Sequence, residues 1–283
     1  MEIKASDVKA LREKTGAGMM DCKKALVESE GDTTKAEKIL KELGLAAAAK
    51  RTGRATNEGR RFTYVGNGRA GMLEISCETD FVARNTDFIA MGNRIAKAMV
   101  EEGLDVDSGK VDGELKEAMS TIKENMTARR FASMDIGSKD LVVDYVHGDG
   151  GTVGVLVKLT AEDEAVLKDE KATTLAFDLA LHVAAFAPQF LSEDTVDPAY
   201  VKEQEEIFTT QANNMGKPAN VVQGIVKGKL KKHLSEIVFL NQPFVKDDKQ
   251  SVKQMVESIG KALGSAIDVT DYKYYRVGEQ VGE

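Results

Sequence analysis

Alternation of apolar and polar residues at period two, followed shortly by a helical stripe, occurs twice along this chain. In the first occurrence, residues 61–65 and 69–77 read as strands. Leu73, Ile75 and Cys77 lie on one face, and Met72, Glu74 and Ser76 on the other. Gly66-Asn67-Gly68 joins them, and Asn-Gly predicts a tight hairpin because both central residues need positive φ. The alternation stops at Asp80-Phe81. Phe88, Met91, Ile95 and Met99 then predict a helix over about 87–102, with Asn85 or Thr86 as N-cap. Phe81 and Val82 therefore fall at a strand-to-helix corner. A second helix is expected near 113–123, while 125–134 fits either a strand or more helix.

Residues 139–188 replay the opening of that scheme. Strands at 140–147 and 152–160 flank Gly148-Asp149-Gly150-Gly151, and a helix carries Leu175, Leu179, His182, Val183 and Phe186 on one side. The parallel between Gly71-Met72-Leu73 and Gly154-Val155-Leu156 points to a duplication. The second copy is interrupted at Asp197-Pro198, an N-cap followed by proline at the first helical position. The helix runs to about Met215, Gly216-Lys217-Pro218 turns the chain, and 219–233 returns as a second helix. This is an antiparallel hairpin with Val201, Ile207, Val222 and Ile225 expected along its seam. An extended Gln242-Pro243-Phe244-Val245, a helix at 251–263 and a strand at 266–277 carrying Ile267, Val269, Tyr272 and Tyr274 complete the copy.

Ahead of both copies, residues 1–50 read as three short helices. Ser6 or Asp7 caps the first, which carries Val8 and Leu11. After Thr15-Gly16-Ala17-Gly18 the second carries Met20, Cys22, Leu26 and Val27. Asp32 caps the third, with Ala36, Ile39, Leu40 and Leu43. Residues 46–54 continue as a helical connector ending in Lys50-Arg51. The expected organisation is α+β: a helical unit at 1–55, a first core unit at 56–138, a second at 139–188 with 234–283, and the inserted hairpin at 189–233. The core is two antiparallel sheets with their helices.

Composition narrows the chemistry. Of 283 residues 42% are hydrophobic and 30% charged, ordinary for a chain with a core. The formal charge is −7, there is no Trp, and only 6% of residues are aromatic, which opposes nucleic acid as a direct partner. Residues 1–61 are net positive, so an acidic patch on a partner would suit them. Cys22 and Cys77 have neither metal-site nor redox-pair spacing. The N-terminus has no apolar signal region and no stretch reaches the ~18 apolar residues of a membrane span, so a cytoplasmic protein without membrane contact is expected.

Gly66-Asn67-Gly68-Arg69-Ala70-Gly71 matches G-x-G-x-x-G, but a strand follows it where a dinucleotide site needs a helix N-terminus. His147, His182 and His233 fall in different elements; His182 sits in an apolar stripe as a core histidine would, and His147 at a hairpin turn. No catalytic, metal or cofactor constellation emerges, and an enzyme is not expected. Phe81 keeps two readings from its neighbours alone: a core aromatic closing a layer, or an exposed wedge for another protein's pocket.

Two long segments carry a family resemblance. Residues 11–26, Leu-Arg-Glu-Lys-Thr-Gly-Ala-Gly-Met-Met-Asp-Cys-Lys-Lys-Ala-Leu, and residues 74–84, Glu-Ile-Ser-Cys-Glu-Thr-Asp-Phe-Val-Ala-Arg, resemble the two signatures of bacterial translation elongation factor Ts. Gly216-Lys217-Pro218, Gln242-Pro243-Phe244 and Tyr145-x-His147-Gly148 resemble the family at matching places. The resemblance implies a ubiquitin-associated-like three-helix bundle, a duplicated α+β core and an inserted coiled-coil hairpin, and it tips 125–134 towards strand. It implies a guanine-nucleotide exchange factor for elongation factor Tu that binds the G domain and a further domain, without a cofactor of its own.

The residue roles are likewise implied by the resemblance. Thr79, Asp80, Phe81 and Val82 would form the segment that dislodges Mg²⁺ from the partner, with Asp80-Phe81 as the wedge and Val82 kept in the core. Arg12, Met19, Met20 and Lys23 would grip the G domain, Arg51 would add a basic contact, and His147 and Val245 would belong to a second contact surface. The hairpin would serve self-association or brace the partner. Three departures stand out: Lys123 where many members have Gly, Lys246 after Val245, and no match in 278–283 to the further C-terminal helix of some members. The alternative from a different class is a helical adaptor that docks through residues 1–50 without altering nucleotide affinity.

Overall fold

The computed structural model describes residues 3–66, 68–216 and 218–279. Three helices open the chain: α1 (Ala5–Thr15), α2 (Met19–Glu28) and α3 (Thr33–Ala49). They close around Val8, Leu11, Cys22, Ala25, Leu26, Ala36 and Leu40. Asp32 caps α3 as its side chain accepts from Lys35 N, whereas α1 is preceded by Lys4 with no side-chain cap. Ser6, expected at that cap, lies inside the first turn and donates to Asp7 instead. Helix α3 takes in 46–49 of the expected connector helix but stops at Ala49, short of its expected end at Arg54, and 50–54 form successive turns in which Arg51 N bonds Ala48 O and Arg54 N bonds Arg51 O. Of the anticipated apolar positions, Met20, Val27 and Leu43 are exposed, because a bundle this small has room for one stripe per helix.

The first sheet has strand order β1 (Glu58–Val65), β2 (Arg69–Cys77), β3 (Met126–Asp135), all antiparallel. Asn67, the centre of the expected Asn-Gly turn, lies outside the described residues, as does Lys217 of the later turn. Between β2 and β3 come α4 (Asp80–Ala83), α5 (Thr86–Glu102) and α6 (Gly109–Ile122). The second sheet has the same order with β4 (Asp140–His147), β5 (Val153–Ala161) and β8 (Ile267–Arg276). Its intervening elements are α7 (Glu170–Phe186), the hairpin α8 (Pro198–Asn213) and α9 (Ala219–Ile237), the short ribbon β6 (Pro243–Phe244) and β7 (Asp247–Ser251), and α10 (Val252–Leu263). The undecided 125–134 stretch is strand.

Each sheet turns one face to its helices and the other towards its partner sheet. Phe62, Leu73, Ile75 and Cys77 meet Phe88, Met91, Ile95 and Met99 of α5 on one side. Val155, Val157 and Leu159 meet Leu175, Leu179 and Val183 of α7 on the other. Ala70, Met72, Met134, Val142 and Leu156 fill the space between the sheets. Gly154 is required there: a Cβ at this position would stand 2.6 Å from the Met72 sulfur and 2.8 Å from Arg61 Cβ.

Both third strands carry a β-bulge at the same place, opposite Glu74/Ile75 in the first sheet and opposite Lys158/Leu159 in the second. The second bulge explains why the apolar positions of β8 switch parity from Ile267 and Val269 to Tyr272 and Tyr274. The bulges also fix the equivalence of the two copies: Met72 corresponds to Leu156, so Gly154 matches Ala70 rather than Gly71. The parallel expected from sequence is thus one residue out of register. In the hairpin, Val222 is buried and Val201 and Ile225 are half-buried, but Ile207 is exposed and Phe208 faces inward to stack edge-on against His233.

Candidate functional site

Strand β2 ends at Cys77, and the next two residues are held by side chains in place of a ladder. Thr79 caps the four-residue helix α4, its hydroxyl accepting from Val82 N at 3.3 Å. The Glu124 carboxylate accepts from Thr79 N at 3.0 Å and from the Thr79 hydroxyl at 2.7 Å. Asn85 then caps α5, accepting from Asp87 N and Phe88 N. Two capped helical turns in immediate succession fix which of the intervening side chains face the core and which face outward. Val82 is buried and Phe81 is 82% exposed. The choice between core aromatic and exposed wedge therefore falls on exposure. Asp80 is exposed beside it, its nearest cation being Arg84 at 3.8 Å.

Beneath the turn, burial pushes the Cys77 thiol up to about 12, with the Glu124 charge adding to the effect. The thiol donates to Thr79 O at 3.2 Å and remains protonated at neutral pH.

The helical bundle carries the other predicted contact residues of the first half. Met19 and Met20 are 44% and 63% exposed and Lys23 is exposed as well, since Cys22, Ala25 and Leu26 take the inward face of α2; Arg12 is exposed on α1, where Val8 and Leu11 face inward. Neither methionine is a core residue. Gly18, at the head of α2, lies beside the Lys123 amino group, and Lys123 directly precedes Glu124. Arg51 differs from these: it is half-buried, and its guanidinium donates to Met119 O at 3.4 Å near the end of α6.

His147 and Val245 sit elsewhere, on the second copy. His147 is exposed at the end of β4, its Nδ1 2.8 Å from the Tyr145 hydroxyl, and Tyr145 meets the exposed Phe177 of α7 edge-on. Val245 is exposed on the β6–β7 turn, and its N–H donates to His182 Nδ1 at 3.1 Å. The two residues approach α7 through different side chains rather than meeting. His182 is the core histidine its stripe predicted. Its Nε2 lies 2.9 Å from Gln242 Oε1, and burial lowers its basicity.

Glu78, Glu124 and Asn125 were not legible as site residues. They act across 45 to 47 positions of sequence, and only the β2–β3 pairing brings them together. Among the described residues no group of three His, Cys, Asp or Glu is arranged to hold a metal ion, and no helix is long and apolar enough to cross a membrane.

The fold is α+β, and among the described residues Phe81 is the most exposed large hydrophobic side chain, carried on a turn capped on both sides. The family model for elongation factor Ts matches residues 78–279. The chain is 50% identical over 278 residues to elongation factor Ts of Borrelia recurrentis, covering 98% of this chain and 100% of that one. It is 49% identical over 276 residues to that of Borreliella burgdorferi (98% and 99% covered) and 45% identical over 278 residues to that of Treponema denticola (98% and 99%). The chain belongs to the elongation factor Ts family, and so to the translation elongation factors.

Proposed function

We propose that this protein is a guanine-nucleotide exchange factor that binds elongation factor Tu in its GDP form and promotes loss of Mg²⁺ and GDP through Asp80-Phe81, recycling Tu in the cytoplasm. The observation that carries the reading is the 82% exposure of Phe81 on a turn capped on both sides. A rigid exposed aromatic beside a carboxylate fits a central anchor entering a partner's pocket. Arg12, Met19, Met20 and Lys23, exposed on the helical bundle, add a basic and adaptable surface, the thioethers conforming to the partner's shape. His147 and Val245 contribute to a separate contact, on a further domain of Tu. Arg51 serves the fold first, through its bond to Met119 O.

The chemistry is linkage rather than covalent catalysis. A factor that binds nucleotide-free Tu more tightly than Tu·GDP weakens GDP by the same ratio, and incoming nucleotide weakens the factor. The deciding experiment follows release of a fluorescent GDP analogue from Tu with and without this protein. Acceleration at sub-stoichiometric concentration is expected. Binding without acceleration would leave the helical-adaptor reading in its place. The outer face of the hairpin, with Ile207, Met215 and Val221 exposed, is the surface through which two copies would associate. Light scattering of the full chain against a form lacking 196–233 reads this directly.

A further inference from the structure

We infer that Glu124 is a positioning residue for Phe81, acting through a reciprocal carboxylate clamp between the end of β2 and the start of β3. The ladder of the two strands ends at the Cys77–Met126 pair. Beyond it the backbones diverge, and two side chains take over the pairing. Glu124 reaches across to Thr79 N and to the Thr79 hydroxyl, while Glu78 reaches back to Asn125 N at 2.7 Å. Each carboxylate thus serves the residue facing the other. Hydrogen bonds from uncharged donors to a carboxylate are shorter and stronger than neutral ones, so the junction is stiff.

The geometry gives the Glu124 arm a direct line to the tip. The hydroxyl that donates to Glu124 is the same oxygen that accepts from Val82 N, so Glu124 orients the cap of α4. The Phe81 side chain is exposed between two capped turns, and its own backbone adds one bond, its carbonyl accepting from Arg84 N at 3.3 Å. The Glu78 arm fixes the opposite side. Arg54 meets Glu78 at 3.3 Å, and the Asn125 amide donates to Thr52 O at 3.3 Å and Arg54 O at 2.7 Å, tying the connector from the bundle to the same junction. The junction that orients Phe81 is thereby also the anchor point of the connector. An anchor pre-ordered before docking loses less entropy on binding and reaches its pocket in the productive orientation.

Two readouts test the assignment, the second resting on the exchange-factor reading. In the full chain, Glu124→Ala is expected to speed amide hydrogen exchange across 79–84 by about tenfold or more while the rest of the protein is unchanged. It is also expected to lower the maximal rate of Tu·GDP release by about tenfold while the half-saturating concentration moves less than about threefold, since the bundle contacts remain. Glu124→Gln, which keeps one acceptor, should fall between. Thr79→Val removes the hydroxyl alone and serves if Glu124→Ala fails to fold. Parental exchange at 79–84, parental maximal rate, or loosening spread over the whole chain in both Glu124→Ala and Thr79→Val would overturn the proposal. If the parent itself does not accelerate GDP release, the functional role falls with the exchange-factor reading. A selective exchange response would then still identify the clamp, which separates the two failures.

Discussion

The Arg61 guanidinium lies 3.2 Å from the Glu74 carboxylate, and both side chains are sealed between the two sheets. The pair is unequal. Glu74 receives a short bond from Arg130 Nε at 2.6 Å and another from Arg129 at 3.4 Å, because the bulge in β3 brings two successive arginines to one carboxylate. The Arg61 nitrogens meet no acceptor in hydrogen-bonding geometry among the described residues, and burial pulls its pKa down to about 10 against the attraction of Glu74. Glu74→Gln would leave three guanidiniums around a neutral amide, at a cost of about 3–5 kcal/mol. Arg61→Met keeps the unbranched stem and discards an unsatisfied charge, so its effect should stay within about 1 kcal/mol. Denaturant unfolding of the two variants checks the asymmetry; equal losses would mean that Arg61 supplies net stabilisation.

This cluster marks a boundary of what the sequence discloses. The strands were legible because Leu73, Ile75 and Cys77 alternate. The duplication was legible because both copies repeat strand, turn, strand, helix. Periodicity reports only which residues share a face. It does not report how two faces meet, and Glu74 reads as a solvent-side residue until a second sheet covers it. For the same reason the copies were matched one residue out of register, since bulges in β3 and β8, not glycines, set the alignment. At the tip, sequence placed Phe81 on a corner but could not expose it. Exposure follows from the Thr79 and Asn85 caps acting together, and Thr79 in turn depends on Glu124, brought near only by strand pairing.

His182 makes stability depend on pH in a defined direction. Its Nδ1 accepts from Val245 N, and its Nε2 pairs with Gln242 Oε1, an arrangement that needs the neutral ring. Burial lowers its folded-state pKa, while the unfolded value is about 6.5. Below that value the unfolded chain binds the extra proton and the folded chain does not. The stabilisation is therefore complete above pH ~6.5 and declines as pH falls towards the folded pKa, with a slope of at most about 1.4 kcal/mol per pH unit. Thermal unfolding at pH 7.5 and 5.5 should show a drop in the parent that His182→Gln lacks. Equal drops would assign the dependence to carboxylates elsewhere.

Lys123 ends α6 in the left-handed region, at φ 69°. A side chain there is strained, and glycine is the usual occupant. Lys123→Gly should raise stability by about 0.5–1 kcal/mol, since the relieved strain exceeds the added freedom of the unfolded chain. The opposite sign in thermal unfolding would show that the Lys123 ammonium, lying beside Gly18, contributes more by holding the bundle to the core than its backbone costs.

Phe81 and Val82 are adjacent in sequence and should separate cleanly under mutation. Val82 is 8% exposed and packs with Ala83, Phe88 and Met91, so Val82→Ala loses buried methyl groups and should cost about 1–2 kcal/mol of stability. Phe81→Ala removes a ring that touches little of its own protein, and its unfolding midpoint should match the parent. On Tu the order reverses. Loss of a central aromatic anchor typically costs at least ~2 kcal/mol, so Phe81→Ala should slow stimulated GDP release by about 30-fold or more. Val82→Ala should retain most of the activity at temperatures where it is folded. Measuring melting and GDP release on the same two samples decides the matter: a destabilised Phe81→Ala would return Phe81 to the core, and a stable, fully active one would remove it from the mechanism.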